Sequence, residues 1–166
     1  MSRYVVMGVS GCGKSSVGAA FALAIGGTYL DGDVLHPPEN VAKMARGEPL
    51  NDTDRAPWLG LVAKALRTHP LPVVIGCSAL KRAYRDLIRS GTDYPVRFLH
   101  LTGSRDLIAT RMGAREGHYM PLSLLDSQFA ALEPPGADEG AVTVDIDQPL
   151  SGIVTTLLNQ TGAAQH

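Results

Sequence analysis

The segment from Gly8 to Ser15 restricts the fold of this chain more than any other part of its sequence. Its residues, Gly-Val-Ser-Gly-Cys-Gly-Lys-Ser, match the pattern G-x-x-x-x-G-K-[ST] between a short apolar run and a helical pattern. Glycines allow a tight turn whose N–H groups converge on an anion, and the N-terminus of the following helix adds partial positive charge. The pattern therefore predicts a phosphate-binding loop between a strand and a helix. The alternative is a glycine-rich turn that only packs tightly.

This loop supplies most of the predicted contacts to ATP. Lys14 is predicted to reach the β- and γ-phosphates as a catalytic group, and the Ser15 hydroxyl is predicted to ligate Mg²⁺. The predicted ATP-binding residues of the loop and the start of its helix are Gly8, Val9, Ser10, Gly11, Cys12, Gly13, Lys14, Ser15 and Ser16.

Strand and helix patterns alternate along the rest of the chain. Alternation of this kind predicts an α/β fold, a mostly parallel sheet with helices on both faces, within a single domain over residues 1–166. Asn51 or Asp52 is expected to cap one helix, and Ser78 another. The predicted strands are 4–7, 28–30, 73–75, 96–101 and 142–146, and the predicted helices are 14–24, 39–46, one after residue 52, 81–90, 106–115, 122–132 and 150–159.

Composition and motifs narrow the class of function. A formal net charge of −1, from 15 basic and 16 acidic residues, indicates no nucleic-acid or membrane partner. No Asn-Lys-x-Asp segment for guanine recognition occurs, and 166 residues are few for a motor or a transporter ATPase. The N-terminal sequence shows no signal-peptide pattern, so we expect a cytoplasmic protein. A small-molecule kinase is the interpretation that fits these observations.

Asp31 and Asp33 follow the second predicted strand, at the sheet edge where ligands bind in such folds. Two carboxylates at this place suit one role at a metal ion and one at the hydroxyl that accepts a phosphoryl group. The alternative is an ordinary Asp-Gly turn, which needs no function to explain it. Spacing alone leaves both interpretations open.

Longer segments of the sequence resemble the gluconate kinase (gluconokinase) family. They follow the family order over nearly the whole chain, with Tyr119 where Phe is commoner. The matching segments are Leu-Asp-Gly-Asp-Val-Leu-His-Pro at 30–37, the stretch 43–59 with Lys-Met-Ala-Arg-Gly at its start and Asp-Arg-Ala-Pro-Trp-Leu at its end, Cys-Ser-Ala-Leu-Lys-Arg-Ala-Tyr-Arg-Asp at 77–86, Arg-Glu-Gly-His-Tyr-Met-Pro at 115–121, Ser-Gln-Phe at 127–129, Leu-Glu-Pro-Pro at 132–135, and Val-Asp-Ile-Asp at 144–147.

The resemblance implies ATP-dependent phosphorylation of D-gluconate at its 6-hydroxyl, which gives 6-phospho-D-gluconate and ADP. It implies the P-loop NTPase fold in its nucleoside-monophosphate-kinase-like and shikimate-kinase-like form, with five parallel strands and a lid at about residues 111–125. It also implies Mg²⁺ as a cofactor and a homodimer. The alternatives are a P-loop kinase for another small hydroxy acid and a nucleotide-binding module without catalysis.

The resemblance also implies roles for the two aspartates. Asp33 would accept or orient the proton of the attacking hydroxyl, and Asp31 would hold Mg²⁺ through water, although the two roles could be exchanged. The third predicted strand, Val73 to Gly76, ends without the aspartate that many P-loop proteins use for magnesium. A carboxylate from elsewhere is therefore needed, and Asp31 is the nearest candidate.

Other matched positions are predicted to bind the acceptor or to act on the phosphates. Arg55 and Lys81 would bind the gluconate carboxylate, while His36 and His118 would lie on the substrate side. For His36 the alternative is packing beside the following prolines.

Arg111 and Arg115 would share one helix face and act as catalytic arginines that close over the phosphates, with Arg111 also binding ATP. Their alternative is a surface ion pair. Arg82 and Arg85 are interpreted as a solvated basic helix face, and Trp58 as core.

Overall fold

Five parallel strands form the centre of the fold in the computed structural model, which describes residues 2–113 and 122–165. Their order across the sheet is β2-β3-β1-β4-β5, and every neighbouring pair is parallel. This confirms the predicted α/β fold with a five-stranded parallel sheet. The strands are β1 (Arg3–Met7), β2 (Thr28–Asp31), β3 (Val73–Gly76), β4 (Arg97–Thr102) and β5 (Val142–Asp145).

The helices pack on both faces of this sheet, as the alternation predicted. Alternate side chains of β1 point to opposite faces, so Val6 packs with the cluster that contains Phe21, whereas Val5 packs with the cluster that contains Trp58. The helices are α1 (Lys14–Ala24), α2 (Pro38–Ala45), α3 (Asp52–Thr68), α4 (Arg82–Thr92), α5 (Arg105–Gly113), α6 (Leu122–Ala131) and α7 (Leu150–Thr161).

A capping box fixes the start of α3 and confirms Asn51 as its cap. The Asn51 side chain accepts a hydrogen bond from the Asp54 N–H at 2.8 Å, and the Asp54 side chain accepts one from the Asn51 N–H at 3.0 Å. Because the cap sets the first helical residue, it also sets the direction in which Arg55 leaves the first turn.

The prediction that Ser78 caps the next helix is wrong. The N-terminal cap position of α4 is Lys81, without a side-chain hydrogen bond, and the first turn is served instead by Glu133, whose carboxylate accepts from the Arg82 N–H at 3.1 Å. The Ser78 carbonyl accepts from the Gly8 N–H at 3.2 Å. A distant carboxylate therefore replaces the local cap, and the segment around Ser78 packs against the start of the phosphate loop.

The interpretation of Arg85 as part of a solvated basic face is also wrong. Its side chain is fully buried and donates to the two carboxylate oxygens of Glu139 at 2.7 and 3.0 Å. It also donates to the Ala79 carbonyl at 2.8 Å and to the Glu133 carbonyl at 3.0 Å. Arg82, by contrast, lies on the surface and pairs with Asp138. Arg85 thus connects α4 to the segment after β3 and to the segment after α6.

Within residues 2–113 and 122–165, no helix combines the length and the apolar character that crossing a bilayer requires.

Candidate active site

The phosphate-binding loop joins β1 to α1 in a conformation that depends on glycine. Gly11 and Gly13 have φ angles of 81° and 93°, a region that other residues rarely adopt. A Cβ atom on Gly11 would lie 2.5 Å from the Met112 side chain, so the loop also passes close beneath α5. Around Gly13 a Cβ would meet no atom within 4 Å, so this side of the loop is open.

Several N–H groups of this loop are available to an anion. Within the described part of the chain, the N–H groups of Gly11, Gly13, Ser15 and Ser16 donate to no protein acceptor, whereas the Lys14 N–H faces the Cys12 thiol. They lie at the N-terminus of α1, where the helix dipole adds positive potential. Such an arrangement binds phosphate groups without rearrangement of the backbone.

Besides the Gly8 N–H, which donates to the Ser78 carbonyl, two N–H groups of the predicted ATP-binding loop are already used by the protein. The Cys12 N–H donates to the Val9 carbonyl at 3.3 Å. The Ser10 N–H donates to the Gln128 side-chain oxygen at 2.7 Å, and the Gln128 amide nitrogen donates back to the Ser10 hydroxyl at 3.0 Å. Gln128 of α6 therefore holds one residue of the loop at two points, a contact that no local sequence pattern predicts.

Lys14 is folded back over its own loop. Its ammonium group donates to the Gly8 carbonyl at 3.0 Å and to the Val9 carbonyl at 3.1 Å. The positive charge therefore sits beside the available N–H groups. Cys12, which lies below it, is buried, and loss of solvation raises the pKa of its thiol.

Asp31 and Asp33 meet at the carboxyl end of β2. The Asp31 Oδ1 atom accepts a hydrogen bond from the Asp33 N–H at 3.0 Å, so Asp31 does stabilise a turn, as the alternative interpretation proposed. Its second oxygen has no protein partner among the described residues. Asp33 is exposed on one side, but nearby protein atoms partly desolvate its carboxyl group and raise its pKa; Asp31 also raises this pKa, whereas Lys14 and His36 lower it.

Ser15 and Asp31, the residues predicted to hold Mg²⁺, offer oxygen atoms, which a hard cation with few protein ligands prefers. The nearby Tyr29 hydroxyl is buried and has no hydrogen-bond partner among the described residues; burial raises its pKa most, Asp31 raises it further and Ser15 lowers it. No group of three or more His, Cys, Asp or Glu residues in the described ranges could hold a metal by itself. Mg²⁺ commonly keeps several waters and binds through one or two protein groups plus phosphates.

His36 follows the Asp31–Asp33 turn and lies flat on Trp58. The two rings stack with centroids 4.1 Å apart and an angle of 17°, and the Trp58 ring nitrogen donates to the Gly32 carbonyl at 2.8 Å. Trp58 is buried as predicted, but it also supports the site. Loss of solvation is the largest effect on the His36 pKa and lowers it; Asp33 raises this pKa and Arg55 lowers it, and the net lowering favours the neutral ring.

Arg55 and Lys81, the two predicted carboxylate partners, come together at Tyr84. The guanidinium carbon of Arg55 lies 5.4 Å from the centre of the Tyr84 ring, and the Lys81 ammonium lies 5.8 Å from it. Arg55 donates to the Tyr84 hydroxyl at 3.2 Å, and this hydroxyl donates to Asp52 at 2.6 Å. Tyr84 was not predicted as a site residue, and the signal that could have found it is its position one helical turn after Lys81 in the same motif.

Arg111 occupies a different place from the other predicted residues. Its guanidinium donates to the Ile146 carbonyl at 2.8 Å, in the segment that follows β5, and it forms no surface ion pair within the described residues. Arg115 and His118, and residues 114–121 of the predicted lid, lie outside the described residues.

Comparison with known proteins agrees with this geometry. No protein-family model matches the chain. The thermoresistant gluconokinase of Escherichia coli (strain K12) is 48% identical over 160 residues, which cover 93% of this chain and 90% of that protein. The gluconokinase of Gluconobacter oxydans (strain 621H) is 50% identical over 143 residues, which cover 84% of this chain and 80% of that protein. The chain belongs to the gluconokinase family.

A solved structure supports the same assignment. The crystal structure of a gluconokinase from Sinorhizobium meliloti 1021 superposes on this gluconokinase-family chain with a TM-score of 0.89 and 48% identity, covering 97% of this chain and 91% of that one. A shikimate kinase from Bacteroides thetaiotaomicron, with a TM-score of 0.70 and 16% identity over 96% of this chain and 98% of that one, shows the shared fold alone. The predicted family and the shikimate-kinase-like fold are both confirmed.

Proposed function

We propose that this chain transfers the γ-phosphoryl group of ATP to the 6-hydroxyl of D-gluconate, giving 6-phospho-D-gluconate and ADP. Its membership of the gluconokinase family supports this reaction. Within the site, the position of Asp33 carries the proposal. Its carboxyl group lies near enough to Lys14 of the phosphate loop and to His36 for both of these residues to lower its pKa, although burial raises this pKa more. It therefore lies where a hydroxyl and a terminal phosphate would meet.

The phosphate loop binds and orients ATP. The free N–H groups of Gly11, Gly13, Ser15 and Ser16 donate to phosphate oxygens, and the Lys14 ammonium moves from its loop carbonyls to the β- and γ-phosphates. In the transition state negative charge spreads over the transferring group and the leaving oxygen, and these donors stabilise it. Ser15 and Asp31 would hold Mg²⁺, which neutralises part of the phosphate charge when bound.

Asp33 acts on the acceptor. The 6-hydroxyl oxygen attacks the γ-phosphorus in line with the bond to the β–γ bridging oxygen, that bond breaks, and the hydroxyl proton passes to Asp33. The raised pKa of Asp33 makes its carboxylate a better base than an ordinary surface aspartate. ADP leaves with the electron pair of the broken bond.

Arg55 and Lys81 bind the carboxylate of the acceptor. Their two positive charges lie over the same Tyr84 ring, from α3 and from the segment before α4. Tyr84 and Asp52 hold Arg55 in place, so its remaining N–H groups can make a two-point contact with the carboxylate. Binding of the gluconate carboxylate at this place would determine how far the 6-hydroxyl, at the other end of the molecule, lies from Asp33.

Closure over the phosphates is assigned to Arg111 and to Arg115, which lies outside the described residues. Arg111 already lies beside the nucleotide side of the sheet, since it donates to the Ile146 carbonyl. His118 is proposed to contact the acceptor. We further propose a homodimer, which sedimentation would test, and a cytoplasmic reaction, because ATP is supplied there.

The decisive experiment measures ADP release with gluconate, with shikimate and without an acceptor. We expect release that depends on gluconate, and two-dimensional ³¹P–¹H NMR should locate the phosphate on C6. Turnover with shikimate alone would indicate another hydroxy-acid kinase. Release that is equal without any acceptor would indicate an ATPase, and ATP binding without turnover would indicate a non-catalytic module. Each of these outcomes contradicts the proposal.

A further inference from the structure

Asn40 of α2 is a buried polar residue, 4% exposed, that makes two hydrogen bonds through one atom. Its amide nitrogen Nδ2 lies 2.9 Å from the Asp54 carbonyl oxygen and 3.2 Å from the His36 Nδ1 atom. A backbone carbonyl only accepts hydrogen bonds, so the nitrogen of the amide, and not its oxygen, must face Asp54. This contact fixes the orientation of the Asn40 amide.

The amide orientation in turn determines where His36 carries its proton. Nδ2 has two hydrogens, one directed to the Asp54 carbonyl and the other to the His36 Nδ1 atom. Nδ1 must therefore be the accepting nitrogen of the ring. In a neutral imidazole the other nitrogen, Nε2, then carries the hydrogen and is a donor.

The stack on Trp58 fixes the direction in which this donor points. Trp58 is held by its hydrogen bond to the Gly32 carbonyl, and the His36 ring lies on it at 17°. Nε2 donates to no acceptor in the described ranges, and it is not among the buried atoms that lack a partner, so it is open to the cleft. His36 therefore offers one oriented, unused N–H group beside Asp33.

We propose that Asn40 is a positioning residue that fixes the Nε2-protonated tautomer of His36, so that His36 donates a hydrogen bond to an acceptor hydroxyl that itself donates to Asp33. A carboxylate such as Asp33 accepts only, so a hydroxyl between the two groups gives its single proton to Asp33 and must accept from His36. In the opposite tautomer Nε2 would carry a lone pair, and the hydroxyl would have no proton left to donate to it, because its single proton is already shared with Asp33. The hydrogen bond from His36 to the acceptor hydroxyl rests on the proposed function. The tautomer of His36 does not, because it is a property of the chain without substrate.

The tautomer is measured directly in the full chain without substrate. Two-bond ¹H–¹⁵N correlation spectra near neutral pH distinguish a protonated from an unprotonated ring nitrogen, and the spectrum of a His36→Gln variant identifies the His36 signals. We expect a protonated Nε2 and an unprotonated Nδ1. A protonated Nδ1 would overturn the inference, whatever the enzyme turns over.

The Asn40→Asp substitution tests the role of Asn40. It replaces the donor by an acceptor of nearly the same shape, which favours a proton on Nδ1; spectra and KM values are recorded above the pKa of the ring in this variant, where the ring carries a single proton. We expect the NMR signals to show this change and the KM for gluconate to rise about 5- to 30-fold, the loss expected for one or two kcal/mol of hydrogen bonding, while the KM for ATP stays unchanged. An unchanged tautomer, or an unchanged KM for gluconate, would contradict the proposal.

Lys43→Met is the matched control for loosening of α2 from α3. Lys43 pairs with the Asp54 carboxylate at 2.7 Å, so its loss weakens the same helix contact without touching His36. We expect the wild-type tautomer and the wild-type KM for gluconate. If Lys43→Met raised the KM as much as Asn40→Asp, the effect of Asn40 would be merely structural and the proposal would fail.

Two variants of His36 test the donor at Nε2 independently, and they do so even if Asn40→Asp does not fold. The side-chain nitrogen of glutamine reaches about the position of Nε2, whereas asparagine reaches only that of Nδ1. We expect the KM for gluconate to rise less in His36→Gln than in His36→Asn. Equal losses would contradict a donor at Nε2. Absence of gluconate turnover in the wild type would instead refute the proposed function and the hydroxyl contact, while the NMR result would still decide the tautomer.

Discussion

Replacing Glu139 by glutamine tests whether a buried ion pair stabilises the part of the fold behind the acceptor site. The Glu139 side chain is 1% exposed and accepts hydrogen bonds from Arg85 at 2.7 and 3.0 Å and from Arg89 at 2.6 Å. Arg85 also holds the carbonyl of Ala79, in the segment that leads to Lys81. Glutamine keeps the shape of the side chain and removes its charge.

The size of the effect follows from the pKa of Glu139. Hydrogen bonds from Arg85 are the largest cause that lowers this pKa, from 4.5 to about 2. This lowering corresponds to about 3 kcal/mol, because a tenfold change in an acid dissociation constant is worth about 1.4 kcal/mol. The second partner of Glu139, Arg89, is 26% exposed, so solvent screens part of this energy. We expect about 2 kcal/mol at neutral pH after that discount.

The pH dependence gives the prediction its sign. Because the folded pKa lies below the unfolded value, the stabilisation is complete above about pH 4.5 and is lost as the pH falls towards 2. Urea unfolding of the wild type and Glu139→Gln should therefore differ by about 2 kcal/mol at pH 7, and the difference should close at low pH. Glu48→Gln, at an exposed pair with Arg46, should show no measurable difference. A Glu139 difference that stays constant across this range would refute the reasoning.

Four further substitutions test the site. Lys14→Met should lower kcat about 10²- to 10³-fold through the loss of charge at the transferring phosphoryl group, and a smaller loss in steady-state assays would argue against that role. Asp33→Asn should lower kcat about 10²- to 10⁴-fold with unchanged ATP binding by calorimetry; near-normal turnover would mean that the base is elsewhere. Arg55→Ala should raise the KM for gluconate about 10- to 100-fold, whereas the exposed control Arg82→Ala should not. Gln128→Leu should raise the KM for ATP about 5-fold, because it frees Ser10, and an unchanged KM would show that this contact does not position the loop.

The features that were predicted well are local in the chain. The phosphate loop depends on eight consecutive residues, and α1 was predicted with the bounds that the structure shows, Lys14–Ala24. The Asn51 cap depends on a residue three positions away. Burial of Trp58, Val62, Ala65 and Leu66 follows from helical spacing alone. Such features need no knowledge of the rest of the fold, because backbone geometry and side-chain periodicity act over a few residues.

The features that were missed join distant parts of the chain. The caps and ion pairs of α4 come from the segment around Glu133 and Glu139, about 50 residues later, and Arg85 is buried only because that segment covers it. The sequence favoured a solvated position for Arg85, because arginine side chains are rarely fully buried in proteins. The hydrogen bonds between Ser10 and Gln128 span 118 residues.

The sequence by itself therefore determined the class of fold, the family and the loop between β1 and α1, and it predicted which residue types would be chemically active. The tertiary structure decided their partners: Arg55 and Lys81 around Tyr84, and His36 between Trp58 and Asn40. The reason is that the strand order β2-β3-β1-β4-β5 places β3 between two strands that come earlier in the chain. Which side chains then meet at the ends of the strands depends on packing across the sheet, which local periodicity does not encode.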